Sequence, residues 1–295
     1  MIVHIFHNRS SFCFFFLLIV MIMSSTMAKV CLVCGLGGGG IGDHVAKKFA
    51  SEGYKVALLA RTKENLDKLE SEIPNSKGYV CDASDSESVH AVVSTCIREL
   101  GGVDVLIYNA GSGIFKPFDV TTVEEFEQCW QSGPKGLFSF AKALTPHFQE
   151  KGSGVIGVTG ATASWRGMPQ TAAFASAKFA QRGLCQALSR DLGPKNIHCF
   201  HVIIDGVVKM PKNRGWMPNK PEDEFLDPAH IAETFWYLAN QDKSCWTYEL
   251  NVGTFAINSV CTESREQLLT IPFSNFGRAC GNLPQYGDDL RIVAV

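Results

Sequence analysis

The chain has no excess of either charge. Its 27 Lys and Arg stand against 29 Asp and Glu, a formal net charge of −2. Nothing electrostatic therefore points to nucleic acid or to an anionic membrane surface as a partner. It also has no second Cys-x-x-Cys. Eleven cysteines are scattered, and Cys31 and Cys34 lie inside an apolar run where successive side chains alternate faces. A zinc site would need another pair, so no metal is expected, and the cysteines read as buried free thiols in a reducing compartment. A membrane span needs about twenty apolar residues. The apolar run at residues 12–23 has twelve, preceded by Arg9 and followed by Ser24, Ser25, Thr26, Met27 and Ala28.

That run leaves three readings open for residues 1–26: an upstream extension, a short endoplasmic-reticulum anchor, or a signal peptide cleaved near Thr26 and Ala28. Cleavage there would leave Lys29 at the start of the first strand, and Met27 is a good natural start. A cytoplasmic core beginning near Met27 is the favoured reading, with a membrane involved only if residues 12–23 are kept as an anchor. Residues 27–258 show no repeat and no composition shift and form one expected domain. Residues 259–295 carry Pro, Gly and Asn breakers with little periodicity and form a tail.

What the chain does have is a glycine-rich turn, Gly35-Leu36-Gly37-Gly38-Gly39-Gly40-Ile41-Gly42, between an apolar strand at 30–34 and a helical pattern from Asp43. Strand, glycine turn and helix make a phosphate cradle, because the backbone comes close and the amides of the helix N-terminus face the anion. Further strands are expected at 54–60, 78–81, 103–108, 154–158, 197–204 and 248–252. Helices are expected at 63–73, 84–100, 121–149 (interrupted at Gly133-Pro134), 170–192 and 227–240. Strands and helices alternating at this spacing predict an α/β fold, a doubly wound parallel sheet of Rossmann type with about seven strands and helices on both faces. Ligands bind such a sheet in the crevice beyond the carboxyl ends of its strands.

Several residues fall on that rim: the glycine turn, Cys81-Asp82 after strand three, Tyr108-Asn109-Ala110-Gly111 after strand four, and Phe174-Ala175-Ser176-Ala177-Lys178. In this order and spacing the chain resembles the short-chain dehydrogenase/reductase family across about residues 28–255. The resemblance implies a nicotinamide cofactor on Gly35, Gly38, Gly40, Ile41 and Gly42, with Asp82 facing the adenine and Asn109, Ala110, Gly111 and Lys178 lining the rest. At the end of strand two an acid would accept the 2′-hydroxyl of NAD. This chain has Arg61 there, and a guanidinium suits a 2′-phosphate, so NADP(H) is favoured over NAD(H).

Two departures qualify the resemblance. The usual three residues between the first glycine and the Gly-Ile-Gly would put Leu36 at the first glycine; otherwise the loop carries one extra residue from Gly35. The chemical centre departs further. The family's Tyr-x-x-x-Lys pair, one helical turn apart, here reads Phe174 and Lys178. Its serine falls on Ala161 and its helix asparagine on Gly133, and the Pro-Gly after strand six reads Asp205-Gly206. Only Lys178 remains of the four catalytic positions. Thr162 and Ser164 are possible substitute donors, whereas Ser176 points away round the helix. His198 and His201, three apart on a strand, lie on opposite faces and form no metal pair. Trp165, Trp216, Phe225 and Trp236 are candidates to shape an apolar pocket, with residues 210–225 as a lid.

Two functions follow. One is an NAD(P)(H)-dependent oxidoreductase of the short-chain type acting on a small carbonyl, alcohol or activated alkene. The other is a catalytically silent nucleotide-binding sensor or scaffold. The resemblance further implies a homodimer or homotetramer through the helices at 121–149 and 170–192.

Overall fold

The computed structural model describes residues 28–255. The expectations for the N-terminal extension and the tail lie outside the described residues. Seven strands form one parallel sheet in the order β3-β2-β1-β4-β5-β6-β7. They are β1 (Val30–Cys34), β2 (Lys55–Ala60), β3 (Ser76–Val80), β4 (Val105–Tyr108), β5 (Gly154–Thr159), β6 (Ile197–Asp205) and β7 (Glu249–Gly253). The helices between them are α1 (Ile41–Ser51), α2 (Lys63–Glu72), α3 (Ser86–Leu100), α4 (Val123–Trp130), α5 (Gly136–Lys151), α6 (Ala172–Leu192), α7 (Pro211–Trp216) and α8 (Pro228–Ala239).

Alternation along the strands builds two cores, one on each face of the sheet. Leu32, Cys34, Leu106 and Tyr108 point towards α3, α5 and α6. Cys31, Val33, Val105 and Ile107 point the other way, towards α1, α2 and α8. Cys31 and Cys34 thus sit in opposite cores, as the alternation requires, and burial raises both thiol pKa values well above the usual range. Among the described residues no cluster of His, Cys, Asp and Glu is able to hold a metal, and no helix is long and apolar enough to cross a membrane.

The expected break at Gly133-Pro134 does not occur. Residues Gln131–Lys135 form a single wide π turn, and the helix runs on from α4 through it into α5. Proline removes one amide from the ladder, and the wide turn absorbs the loss instead of ending the helix. The Ser132 carbonyl accepts a hydrogen bond from the buried Tyr108 hydroxyl at 2.6 Å. Because that bond comes from β4, sequence spacing gives no sign of it.

β1 and β4 pair at the centre of the sheet, with Cys34 opposite Tyr108. The chain winds outward from them in both directions, so Gly35 and Asn109 meet at the topological switch point, where the crevice opens. Gly35 has φ +97°, and a Cβ on it would lie 2.5 Å from the Ala110 amide nitrogen. The Asn109 side-chain amide donates to the Gly35 carbonyl at 2.7 Å. Gly35→Ala would strain both backbone and contact, and it should destabilise the fold by about 3 kcal/mol, read as the denaturant midpoint. An unchanged midpoint would show that the two loops do not meet as described.

Candidate active site

Gly35 takes the place of the first glycine of the turn, so the loop carries one extra residue and Leu36 packs partly against the second core. Asp43 accommodates the added length. Its carboxylate accepts from the Gly37 amide at 2.7 Å and the Gly39 amide at 2.8 Å, and the residue is buried. This sorts the loop amides into two sets. Those of Gly37 and Gly39 turn inward to Asp43, while those of Gly38, Gly40, Ile41 and Gly42 have no acceptor among the described residues. A diphosphate is the kind of group that such an N-terminal cradle holds. Added Cβ atoms at Gly38, Gly39 and Gly40 would come within 3.5–3.7 Å of Met210 or Pro211, so the start of α7 leans over the loop.

Arg61 is exposed at the end of β2. Next to it, burial alone would raise the Asp82 pKa, but the Ser84 hydroxyl and amide bonds and the Arg61 charge together hold it below the usual value. A cationic and an anionic group therefore stand side by side at the outer end of the crevice.

The inner end is a cavity of about 980 Å³. Asn109 and Gly111 line it at the switch point, and Thr162, Arg166, Phe174 and Lys178 line it deeper in. Lys178 is buried, and its Nζ donates to the Thr159 carbonyl at 2.8 Å. Burial pushes its pKa down to about 8, opposed only slightly by the nearby Cys129 thiol. The Phe174 ring packs on Phe115, centroids 5.0 Å apart, and its own centroid lies 5.9 Å from Lys178 Nζ. A hydrocarbon ring thus occupies the place beside Lys178 where the resemblance leads one to expect a phenol.

The two hydroxyls named as stand-ins are otherwise engaged. Ser164 is fully buried, and its Oγ accepts from the Ala161 amide at 3.2 Å, which is ordinary turn bonding. Thr162 faces the cavity but donates its proton to Asp205 Oδ1 at 2.5 Å. The Arg166 guanidinium stands 3.8 Å from the same carboxylate oxygen. Ser176 donates back to the Ala172 carbonyl at 2.7 Å and stays out of the site. Gly133 is buried against α6, with its Cβ position 3.5 Å from the Ala177 methyl.

Of the four aromatic residues expected to shape the pocket, only Trp216 lines it. Trp236 lies on α8 beneath Lys48, and Phe225 packs beside Arg214 and Lys220. Phe115, from the loop after β4, and Phe174, from the first turn of α6, line it in their place. His198 stacks on Trp246 with centroids 4.7 Å apart, while His201 faces Glu249, its Nδ1 3.4 Å from Oε2. The two histidines are core residues on opposite faces.

Comparison with known proteins agrees with this geometry. Residues 29–219 match the short chain dehydrogenase family, and the chain belongs to it. A 3alpha-hydroxysteroid dehydrogenase of Mediterraneibacter gnavus is 31% identical over 235 residues, covering 75% of this chain and 94% of its own. A short-chain dehydrogenase structure from Rhodopseudomonas palustris is 33% identical with a TM-score of 0.65, covering 77% of this chain and 99% of its own. An alcohol dehydrogenase from Thermococcus sibiricus, solved with 5-hydroxy-NADP, is 28% identical with a TM-score of 0.69, covering 77% of this chain and 97% of its own.

Proposed function

We propose that the chain is an NADP(H)-dependent oxidoreductase in which Lys178, not a tyrosine, handles the proton. The observation that carries this reading is the joint placement of unpaired loop amides at the switch point and a buried, proton-active ammonium in the adjoining cavity. The Gly38, Gly40, Ile41 and Gly42 amides would hold the diphosphate and Arg61 the 2′-phosphate, with Asn109, Ala110, Gly111 and Lys178 along the inner half. Asp82 would stand at the adenine end. The 5-hydroxy-NADP bound by the Thermococcus sibiricus relative supports the choice of nucleotide.

Bound nicotinamide supplies or accepts a hydride; the rest falls to this chain's residues. Thr162 gives its hydrogen to Asp205, Ser164 is buried in its turn, and Phe174 has no proton. Lys178 remains, and an acid with a pKa near the working pH is well matched to general acid catalysis. In the reducing direction a carbonyl, NADPH and one proton give an alcohol and NADP+. The carbonyl oxygen takes its proton from Nζ, which recovers one from solvent. The site does not offer the substrate oxygen a second strong donor from Ala161 or Gly133. Conjugated enones and quinone-like rings, whose reduced anions are already delocalised, are therefore the favoured substrates. The cavity is large enough for a ring system, and the name of the Mediterraneibacter gnavus relative, a 3alpha-hydroxysteroid dehydrogenase, supports a ring-bearing substrate.

The test follows NADPH absorbance over a panel of enones, quinones and simple ketones. Substrate-dependent oxidation is expected, reduced at least about a hundredfold in Lys178→Met. The lost Tyr, Ser and Asn groups favour a second reading, a silent nucleotide-binding sensor or scaffold. Bound NADPH with no turnover over the whole panel would select it.

A second copy of the chain is the proposed partner. Val123, Phe126, Trp130 and Phe138 lie exposed along α4 and α5. An apolar stripe of this kind is normally covered. Sedimentation of the full chain should give a dimer or tetramer; a monomer at micromolar concentration would remove this partner.

A further inference from the structure

The cavity at the inner end of the crevice has a sign of its own. Lys116, Arg166, Lys178 and Lys212 line it with Glu125 as the one acid among the described residues, in a chain whose formal net charge is −2. A cleft walled by one sign of charge concentrates ligands of the other sign. Between these groups the wall is apolar, built from Phe115, Met168, Phe174 and Trp216. Such a wall fits a ring system, and the basic groups fit an anion attached to it.

Three of these cations are already held by the fold. Lys116 pairs with Glu125, whose other oxygen accepts from the Thr122 amide at 3.1 Å. Arg166 stands against Asp205, and Lys178 donates to the Thr159 carbonyl. Lys212 differs. The other basic residues near it in sequence each have an acid: Lys209 and Arg214 meet Glu222, and Lys220 Nζ lies 2.8 Å from Glu224. Lys212 has no ion pair among the described residues. Its Nζ stands 4.6 Å from the centroid of the Trp216 ring, one turn further along α7. That contact holds the ammonium in place without neutralising it. The turn beneath is pinned by Asn213, whose side-chain amide donates to the Val208 carbonyl at 2.9 Å. Lys212 and Trp216 are both exposed and both line the cavity, which places a fixed positive charge at its mouth. Met210 and Pro211 lean over the glycine loop, but the Trp216 contact draws the Lys212 ammonium along α7 to its last residue.

We propose that Lys212 selects substrates that bear a carboxylate, holding that group at the cavity mouth while the ring packs inward against Phe115 and Phe174. The substrate class is then a cyclic enone or quinone with an acidic side group. A neutral ring of the same shape leaves the Lys212 ammonium without a partner and binds less well. As a statement about substrates this rests on the oxidoreductase reading of the cavity, whereas the preference for an anion needs no turnover.

The test is a calorimetric titration of the full chain, in excess NADP+, with 2-naphthoate and with 2-naphthamide, which share a ring system and differ in charge. NADP+ has no hydride to give, so binding is read apart from chemistry. At low salt 2-naphthoate should bind about tenfold more tightly, the size of a charge-assisted bond partly screened at an exposed site. The advantage should fall to about twofold in Lys212→Met and persist in Lys212→Arg, which keeps the charge. Lys212 is exposed, so both variants are expected to fold. Equal binding of the two probes by the wild type would overturn the proposal, and so would an advantage that survives Lys212→Met. In that second case, a loss of NADP+ affinity in the same variant would put the lysine on a cofactor phosphate instead. If the advantage depends on Lys212 but no enone or quinone is reduced, the carboxylate site stands and the oxidoreductase reading fails.

Discussion

Lys178→Met will stabilise the protein at pH 7 while removing its turnover, a combination that few substitutions give. The lysine is buried with a pKa near 8, against 10.5 for a free side chain. Between pH 8 and 10.5 the unfolded chain holds a proton that the folded chain has released, so stability rises with pH across that window. The rise amounts to about 3 kcal/mol, the free-energy equivalent of the pKa difference. Below pH 8 the folded protein carries the full penalty of a buried charge. Methionine fills similar space without that penalty, although the Thr159 carbonyl then loses its donor. The net gain expected at neutral pH is about 1–2 kcal/mol, and the variant's stability should no longer climb between pH 8 and 10.5. In the wild type the reductive rate should stay level below pH 8 and fall above it, with the midpoint moving upward when anionic nucleotide is bound. Denaturant melts at pH 7 and pH 10 check the first half, and a pH–rate profile checks the second. Equal stability slopes in both proteins would show that Lys178 is not the buried cation described.

Arg61→Ala should weaken NADPH binding by about ten- to a hundredfold and leave NADH nearly unchanged. The reasoning is local. A charge-assisted bond from a guanidinium to a phosphate contributes about 1.5–3 kcal/mol, and NADH has no 2′-phosphate to lose it. Arg61 is exposed on the rim next to Asp82, with no acid until Glu64 to prefer a bare ribose. Arg61→Asp should go further and reverse the preference, since a carboxylate repels the phosphate and accepts from the 2′-hydroxyl. Equal losses for both nucleotides would place Arg61 outside the 2′ subsite.

The sheet was legible in the sequence because β1, β2, β4, β5 and β6 are mostly apolar runs, and glycine, asparagine or aspartate marks the rim at Gly35, Asn109, Gly160 and Asp205. Lys178, Asn109 and Gly111 were legible for a related reason: motif spacing pins them to strand ends or to one face of α6. The helix through Gly133-Pro134 was not, because a wide turn carries it past the proline and the one hydrogen bond it takes from the sheet, to the Ser132 carbonyl, comes from β4. The role of Asp205 was missed for the same physical cause. Thr162 meets Asp205 across 43 residues of chain, and no local pattern records such a contact. Asp43 had a faint signal, an acid in the first helical turn just after a glycine loop one residue too long. Gly133 was read as a lost side chain, and in the fold its Cβ position lies against the Ala177 and Gln181 side chains of α6.

The most direct test of the account is a fluorescence titration of the full chain with NADPH and, in parallel, NADH. A single saturable site is expected, tighter for NADPH, with the difference abolished in Arg61→Ala. Binding of neither nucleotide would contradict the account: the Asp43-clamped loop would then be a closed turn, and the chain a dehydrogenase fold serving as an interaction protein.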